Sequence, residues 1–157
     1  MPDSKHYQCL VATQTKIRSL NLIDSNSVRI RLLPIDRDFG NGTDTQYGFP
    51  AIILSPLGQE VIQPATNLRD DVAFPVTVSF VDSSDLTIQE MEQNINDWLS
   101  MRDTIVKAFS QQRLPNVSGV WKCDVEAQQI ISPENFGRSR RVGFLTLKFV
   151  SREERGS

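Results

Sequence analysis

The sequence contains a single histidine, His6, and only two cysteines, Cys9 and Cys123. His6 lies in a polar N-terminal segment and is interpreted as a solvent-exposed tail residue. One chain is therefore not expected to build a catalytic triad or a histidine-rich metal site. The two cysteines are far apart in sequence and are either small buried hydrophobic residues or partners in one disulfide. So low a cysteine content gives no indication of a disulfide-rich secreted scaffold.

The sequence also lacks a large excess of one sign of charge and a long hydrophobic run. The formal net charge of −2 provides no positive field that would attract nucleic acid. No apolar run approaches the length that spans a membrane, and the N-terminus lacks the hydrophobic core of a signal peptide. An intracellular protein without membrane contact is therefore expected. Its 157 residues are sufficient for one domain, with polar tails at about residues 1–4 and 152–157.

The most informative stretch is residues 86–113, where apolar residues recur at helical spacing. Thr87 and Glu90 form a T-x-x-E capping box at its start, and Pro115 ends it. An amphipathic helix of this kind needs an apolar surface to lie against. The residues of its apolar face are Ile88, Met91, Ile95, Trp98, Leu99, Ile105, Val106 and Phe109.

The remaining pattern predicts one further helix and several strands. The helix is expected at about residues 5–22, and the strands at about 28–33, 51–54, 72–81, 117–131 and 142–150, with a short strand near Val61. Even-numbered residues of 72–81 share one apolar face, and Pro75 on the other face indicates an edge or a bulge. In 117–131, the residues predicted to face the core are Trp121, Cys123, Val125 and Ala127.

Together these elements predict an α+β domain with a mixed, mainly antiparallel sheet of about four to five strands. A long amphipathic helix packs across one face of the sheet, and an N-terminal helix is added to it. The last strand is partly apolar on both faces, so we expect it to be central in the sheet or in contact with a partner.

Residues 35–49 form the least regular stretch and are predicted to be a long loop. A loop of this length in a compact domain is usually functional or disordered. Phe39 and Tyr47 flank a turn-forming centre that includes Asn41 and Asp44, so these residues are the candidate contacts with a neighbouring subunit or partner. The alternative is a disordered surface loop.

Two other groups of residues are candidates for chemistry. Asp36, Asp38 and Asp44 suggest a calcium loop, but their spacing fails the EF-hand pattern and no bidentate glutamate follows. The one basic cluster, formed by Arg138, Arg140 and Arg141, could contact phosphates in a DNA channel or a partner protein. No other constellation indicates catalysis, so an enzyme is not expected, and neither a metal nor a cofactor is predicted.

The order of the elements resembles that of the tail terminator and tail-completion proteins of long-tailed bacteriophages. The resemblance covers about residues 5–152 and depends on element order and pattern, without a catalytic motif. The stretches that carry it are residues 49–54 (FPAIIL), 74–80 (FPVTVSF), the helix 88–109 and 141–149 (RVGFLTLKF).

This resemblance implies a structural virion protein that forms a ring on the end of the tail tube. The ring would end tube growth and join the tail to the head connector or neck. Its partners would be further copies of the chain, with a hexamer as one candidate size, the tail tube protein, the connector and DNA passing without sequence specificity. The protein would be located in the tail or neck of the virion, and in the host cytoplasm during assembly.

Three alternatives remain open from the sequence. The chain could be another neck or head-completion protein of the same virion. It could also be a small nuclease or hydrolase whose site is completed between subunits, or a host-encoded structural adaptor.

Overall fold

The computed structural model describes residues 3–32, 51–58, 60–66, 68–81, 88–93, 95–114, 116–127 and 142–154. The elements are α1 (Lys5–Ser19), β1 (Val28–Ile30), β2 (Ala51–Ser55), β3 (Val61–Pro64), β4 (Arg69–Val81), α2 (Ile88–Gln93), α3 (Ile95–Phe109), β5 (Val120–Ala127) and β6 (Val142–Glu154). None of the described helices is long and apolar enough to cross a membrane.

The described strands form one mixed sheet in the order β1-β2-β4-β6-β5, and β3 also pairs with β4. β1 is parallel to β2, and every other pairing is antiparallel. The predicted α+β class is therefore confirmed, with six strands where about four to five were expected. β6 lies between β4 and β5, which explains why its sequence is apolar on both faces.

The two faces of the sheet differ because the strand residues alternate. We call one the helix face, since α1 and α3 pack on it. The even-numbered residues of β4 point to this face, as predicted, and form one core with residues of both helices. The other we call the opposite face. The core residues contributed by β4 are Val72, Phe74, Val76, Val78 and Phe80.

Helix α1 begins and ends for local reasons. The Ser4 hydroxyl accepts a hydrogen bond from the backbone N–H of Tyr7 at 3.2 Å, which caps the first turn. Asn21 has a φ of 54°, and this left-handed conformation ends the helix soon after Ser19. The helix is therefore shorter than the predicted range of 5–22.

The predicted long helix 86–113 is present as α2 and α3. α3 ends at Phe109 because Gln111 adopts a φ of 57° and its N–H donates to the carbonyl of Cys123 at 2.8 Å. Pro115 lies outside the described residues, so its predicted role is untested. The strand β5 thus helps to end the helix.

The buried arc of α3 is narrower than the predicted apolar face. Trp98, Ile105 and Phe109 are buried against the sheet, which confirms this part of the prediction. Ile95 and Leu99 are exposed, so their predicted burial is wrong. Leu99 follows Trp98 by one residue and is therefore turned about 100° away from it around the axis.

Two further expectations are corrected at the end of the sheet. The predicted polar tail from residue 152 begins too early, because β6 pairs with β4 as far as Glu154. Trp121 does not face the core as predicted, because the register of β5 against β6 shifts between Val120 and Lys122. This β-bulge turns Trp121 away from the side occupied by Cys123.

The long strand β4 has an interrupted partner on one edge. β2 pairs with β4 from Val81 to Thr77, and β3 pairs with it from Ala73 to Asp70. Pro75 lies opposite the gap between them, and it has no N–H to donate. Gly58 approaches it so closely that an added β-carbon would lie 2.7 Å from Cβ of Pro75. The prediction for Pro75 was an edge or a bulge. β4 is not an edge strand, because β6 pairs with it on its other side, and Pro75 instead lies where the partner on one side is interrupted.

Candidate interaction surface

A groove of about 370 Å³ lies on the opposite face, where β3, β4, β6 and β5 are side by side. Its floor is apolar because Val61, Ala73 and Val150 occupy one row across three strands. Ala73 pairs with Val61 on one side and with Val150 on the other. The volume falls in the range of pockets that hold small ligands, roughly 300–1,000 Å³, so it can accept an inserted side chain.

Charged side chains surround this floor in three pairs. The distances are 2.8 Å for Lys148–Glu126, 3.2 Å for Lys122–Asp124 and 3.0 Å for Arg152–Asp71. Arg152 contacts Asp71 through two of its nitrogens, and this hydrogen bonding lowers the pKa of the Asp71 carboxyl. Such exposed pairs contribute little to the stability of the fold, because water and salt screen the attraction. Their importance is that the rim carries both signs of charge in equal number.

Trp121 stands at the end of the groove beside the β-bulge. Its side chain is 39% exposed. Lys122 Nζ lies 5.2 Å from the centre of its ring, and Arg152 Cζ lies 5.9 Å from it. A second depression of about 280 Å³ is lined by Trp121, Arg152 and Gly119. Tryptophan and arginine are enriched at the energetic centres of protein interfaces, so this is the part of the groove best suited to contact a partner.

Gly119 brings this segment close to β6. Its φ of +86° is unfavourable for residues with a side chain, and its carbonyl accepts a hydrogen bond from the N–H of Arg152 at 3.2 Å. A β-carbon at this position would lie 2.9 Å from Oγ of Ser151. The glycine thus allows the close approach that places Trp121 next to Arg152.

An exposed apolar hairpin tip lies on the same end of the sheet. Ile62 is 63% exposed and Leu68 is 76% exposed. Ile62 pairs with Val72, so it belongs to the helix face, on the other side of the sheet from the groove. The hydroxyl of Thr66 accepts hydrogen bonds from the N–H groups of Leu68 and Arg69 at 3.3 and 3.1 Å, which orders the turn. Leu68 lies between β3 and β4, and Ile62 lies within β3 of the same hairpin. We call these two residues together the hairpin tip.

His6 has a structural contact that the sequence did not predict. It lies in the first turn of α1, half-buried, with its ring 5.5 Å from that of Phe74. Its Nε2 is 2.6 Å from the carbonyl oxygen of Pro75, so this nitrogen donates the hydrogen bond. The interpretation of His6 as a solvent-exposed tail residue is therefore wrong. It supplies a donor to β4 beside the gap in the partner strand.

A cavity of about 320 Å³ lies next to the start of α1. Among its lining residues, His6 is half-buried, whereas Tyr7 and Leu32 are exposed. Leu32 is the last described residue before the predicted contact loop.

Cys9 and Cys123 are free and completely buried. Their interpretation as small buried hydrophobic residues is therefore correct, and the alternative of a disulfide between them is wrong. Burial raises the pKa of each thiol from about 9.0 to about 12. Thiols of this kind are unreactive in the folded protein, because the thiolate is the nucleophile.

The site residues predicted from the sequence lie outside the described ranges. They are Phe39, Asn41, Asp44, Tyr47, Arg138, Arg140 and Arg141. The same holds for Asp36 and Asp38 of the calcium alternative. Across the described ranges, no group of three or more His, Cys, Asp or Glu residues is placed to hold a metal ion. The predictions for the loop and for the arginines therefore remain predictions.

The groove was missed because its residues come from four separated stretches of sequence. One signal was present, since Lys122, Asp124 and Glu126 alternate with the more apolar residues of β5 and so belong to an accessible face. The register that brings them beside Lys148 and Asp71 is a long-range property of the sheet.

No known protein-family model matches this chain, and no curated protein sequence matches it either.

Proposed function

We propose that this protein is a structural virion component that forms a ring on the end of a phage tail tube. The ring ends tube growth and joins the tail to the head connector or neck. The observation that carries this proposal is the order of the elements: an N-terminal helix, short strands, the long β4, the amphipathic α3 and two closing strands. This is the order on which the resemblance to tail terminator proteins rests.

The surface of the sheet gives the proposal further support. Assembly proteins act through their surfaces, and contacts between subunits need exposed apolar residues beside polar ones. The described chain offers such a combination in the groove beside Trp121 and in the hairpin tip. DNA would pass through the ring without sequence-specific contacts, and Arg138, Arg140 and Arg141 are proposed to lie along its path or against a partner.

The decisive experiment is deletion of the gene from the phage that carries it, followed by electron microscopy of the particles. We expect filled heads that lack tails, together with free tail tubes of uncontrolled length. A plasmid-borne copy of the gene should restore joined particles. Tails of uniform length joined to heads without the protein would contradict the proposal. Uniform tails beside leaking heads would instead indicate the alternative of a head-completion protein.

The predicted contact loop is tested in the same complementation assay. We propose that residues 35–49 become ordered against a neighbouring subunit or the tail tube protein. Changing both Phe39 and Tyr47 to Ser, or deleting residues 41–44, should leave the circular dichroism spectrum unchanged and abolish complementation. A normal titre of infectious particles with either variant would show that the loop is not the interface.

A further inference from the structure

The groove and the hairpin tip lie on different faces of the same end of the sheet. The groove is concave, with an apolar floor at Val61, Ala73 and Val150. The hairpin tip is exposed and apolar, and its turn is held by Thr66. Since Ile62 belongs to the helix face and the groove to the opposite face, one chain cannot fill its own groove with its own tip.

We propose that the hairpin tip of one copy of this chain inserts into the groove of the next copy. Leu68 would then lie on the apolar floor, against the ring of Trp121, and Ile62, further along the same hairpin, would lie at the edge of the contact. The contact joins two different surfaces, so each copy keeps one free tip and one free groove. A head-to-tail contact of this type repeats, and it closes into a ring when the rotation between copies allows it.

The charge of the rim favours an apolar occupant over a strongly charged one. Three cations face three carboxylates, namely Lys122, Lys148 and Arg152 against Asp71, Asp124 and Glu126. A partner of a single sign, such as nucleic acid or an acidic peptide, would meet as many unfavourable charges as favourable ones. An apolar tip avoids this cost, because it needs only the floor and the tryptophan and leaves the rim pairs intact.

The surroundings of the tip are also compatible with this rim. On the helix face, Asp70 lies directly opposite Glu153, and Glu153 pairs with Lys5 at 2.7 Å. Arg69, the residue next to Leu68, pairs with Glu154 at 3.7 Å. The tip therefore has both signs of charge beside it, as the rim of the groove has. This inference deepens the proposed function by assigning the contact between ring subunits, and it rests on that function only for closure of the ring.

The test uses the full chain and two variants, one in each surface. Leu68→Asp alters the tip, and Trp121→Ala alters the groove. Ile95→Asp is the matched control, because Ile95 is also an exposed apolar residue but lies on α3. Circular dichroism and a thermal melt establish that each variant is folded, and sedimentation velocity over a range of concentrations measures association.

We expect the unchanged chain and the control to associate beyond a dimer as concentration rises. Loss of an interface centre costs at least a factor of about 30 in the dissociation constant, so each variant alone should be shifted by that amount or more. An equimolar mixture of the two variants should form a one-to-one heterodimer and stop there, because each variant brings one intact surface.

Four results would overturn the proposal. The first is an unchanged chain that stays monomeric at its solubility limit. The second is association of either variant with the affinity of the control. The third is a mixture that gives no heterodimer, and the fourth is a tip variant that forms homodimers through two grooves. These outcomes do not depend on the result of the gene deletion. The association assay can therefore refute the proposed contact while the deletion supports the proposed function, and the deletion can refute the function while the assay supports the contact.

A cross-link provides a second measurement that needs no disruptive change. Leu68→Cys in one preparation and Gln63→Cys in another place single thiols on the tip and on the rim of the groove. A short bis-maleimide should join the mixed chains into a covalent heterodimer and should not join either preparation to itself. The buried Cys9 and Cys123 do not compete. Failure of this cross-link in associated protein would contradict the proposed contact.

Discussion

Replacement of Trp98 by alanine tests how α3 is held on the sheet. The Trp98 side chain is 3% exposed, and its ring lies edge-to-face with that of Phe80 at a centroid distance of 6.1 Å. A buried aromatic side chain removes about 150–250 Å² from water, which at about 25 cal/mol per Å² corresponds to about 4–6 kcal/mol. The aromatic pair adds about 0.5–1.5 kcal/mol.

Alanine keeps part of this burial and is a better helix former than tryptophan by a few tenths of a kcal/mol. The net loss expected for Trp98→Ala is therefore about 3–5 kcal/mol, the usual cost of removing a buried aromatic ring. A domain of this size has a total stability of about 5–15 kcal/mol, so the change is large. At about 2–4 °C per kcal/mol, the melting temperature should fall by about 6–20 °C.

The assay is thermal and urea unfolding followed by far-UV circular dichroism, with Leu99→Ala as the control. Leu99 is the next residue of the same helix and is 41% exposed, so its truncation should cost about 1 kcal/mol or less. Equal melting temperatures for the two variants would refute the orientation of α3. A Leu99→Ala variant less stable than Trp98→Ala would show that the helix is rotated by about one residue.

Three further predictions concern other parts of the chain. Gly119→Ala should destabilise the protein by about 1–3 kcal/mol in urea unfolding, because its φ of +86° is strained for alanine. The pKa of Cys9 and that of Cys123 are raised from about 9.0 to about 12, so their contribution to stability is complete below pH 9 and is lost as pH rises towards 12. Asp71 has a lowered pKa through its hydrogen bond from Arg152, so Asp71→Asn should lower the melting temperature at neutral pH. That difference should vanish as pH falls through the depressed pKa of the carboxyl.

Each of these has its own control. Ser118→Ala, at the exposed neighbouring position, should leave urea unfolding unchanged, and an equal loss in both variants would contradict the argument from φ. A variant with alanine at both cysteines should lose less stability than the parent chain between pH 9 and pH 12. A constant difference between Asp71→Asn and the parent chain at all pH values would exclude the ion pair with Arg152 as its cause.

The sequence predicted the elements that are specified locally. The alternation of Val72, Phe74 and Val76 determines the apolar face of β4 independently of the element that packs on it. In the same way, the helical spacing of Trp98, Ile105 and Phe109 determines the apolar face of α3. Periodicity indicates the direction of the buried arc, but its width depends on the surface that the helix meets. This is why the exposure of Leu99 was not predicted.

The features that were missed depend on contacts between distant segments. Local polarity placed His6 in solvent, whereas the carbonyl of Pro75, 69 residues further along the chain, accepts a hydrogen bond from its ring. Trp121 was predicted to face the core because strict alternation assumes a regular register, whereas the register between β5 and β6 shifts at this residue. The groove likewise exists only after four strands have been aligned, so the pattern of any one strand could not reveal it.

The proline in β4 has a consequence for the uniqueness of the sheet. A shift of β4 by one residue against β2 and β3 would turn its apolar side chains to the wrong face. A shift by two residues would keep the faces correct, and alternation alone does not oppose it. In that arrangement, however, Pro75 would leave the gap between Thr77 and Ala73 and enter a paired position, where its missing N–H breaks the ladder. Hydrophobic alternation thus excludes a shift of β4 by one residue, and Pro75 excludes a shift by two. The observed register keeps the apolar side chains on the correct face and also leaves the proline in the gap.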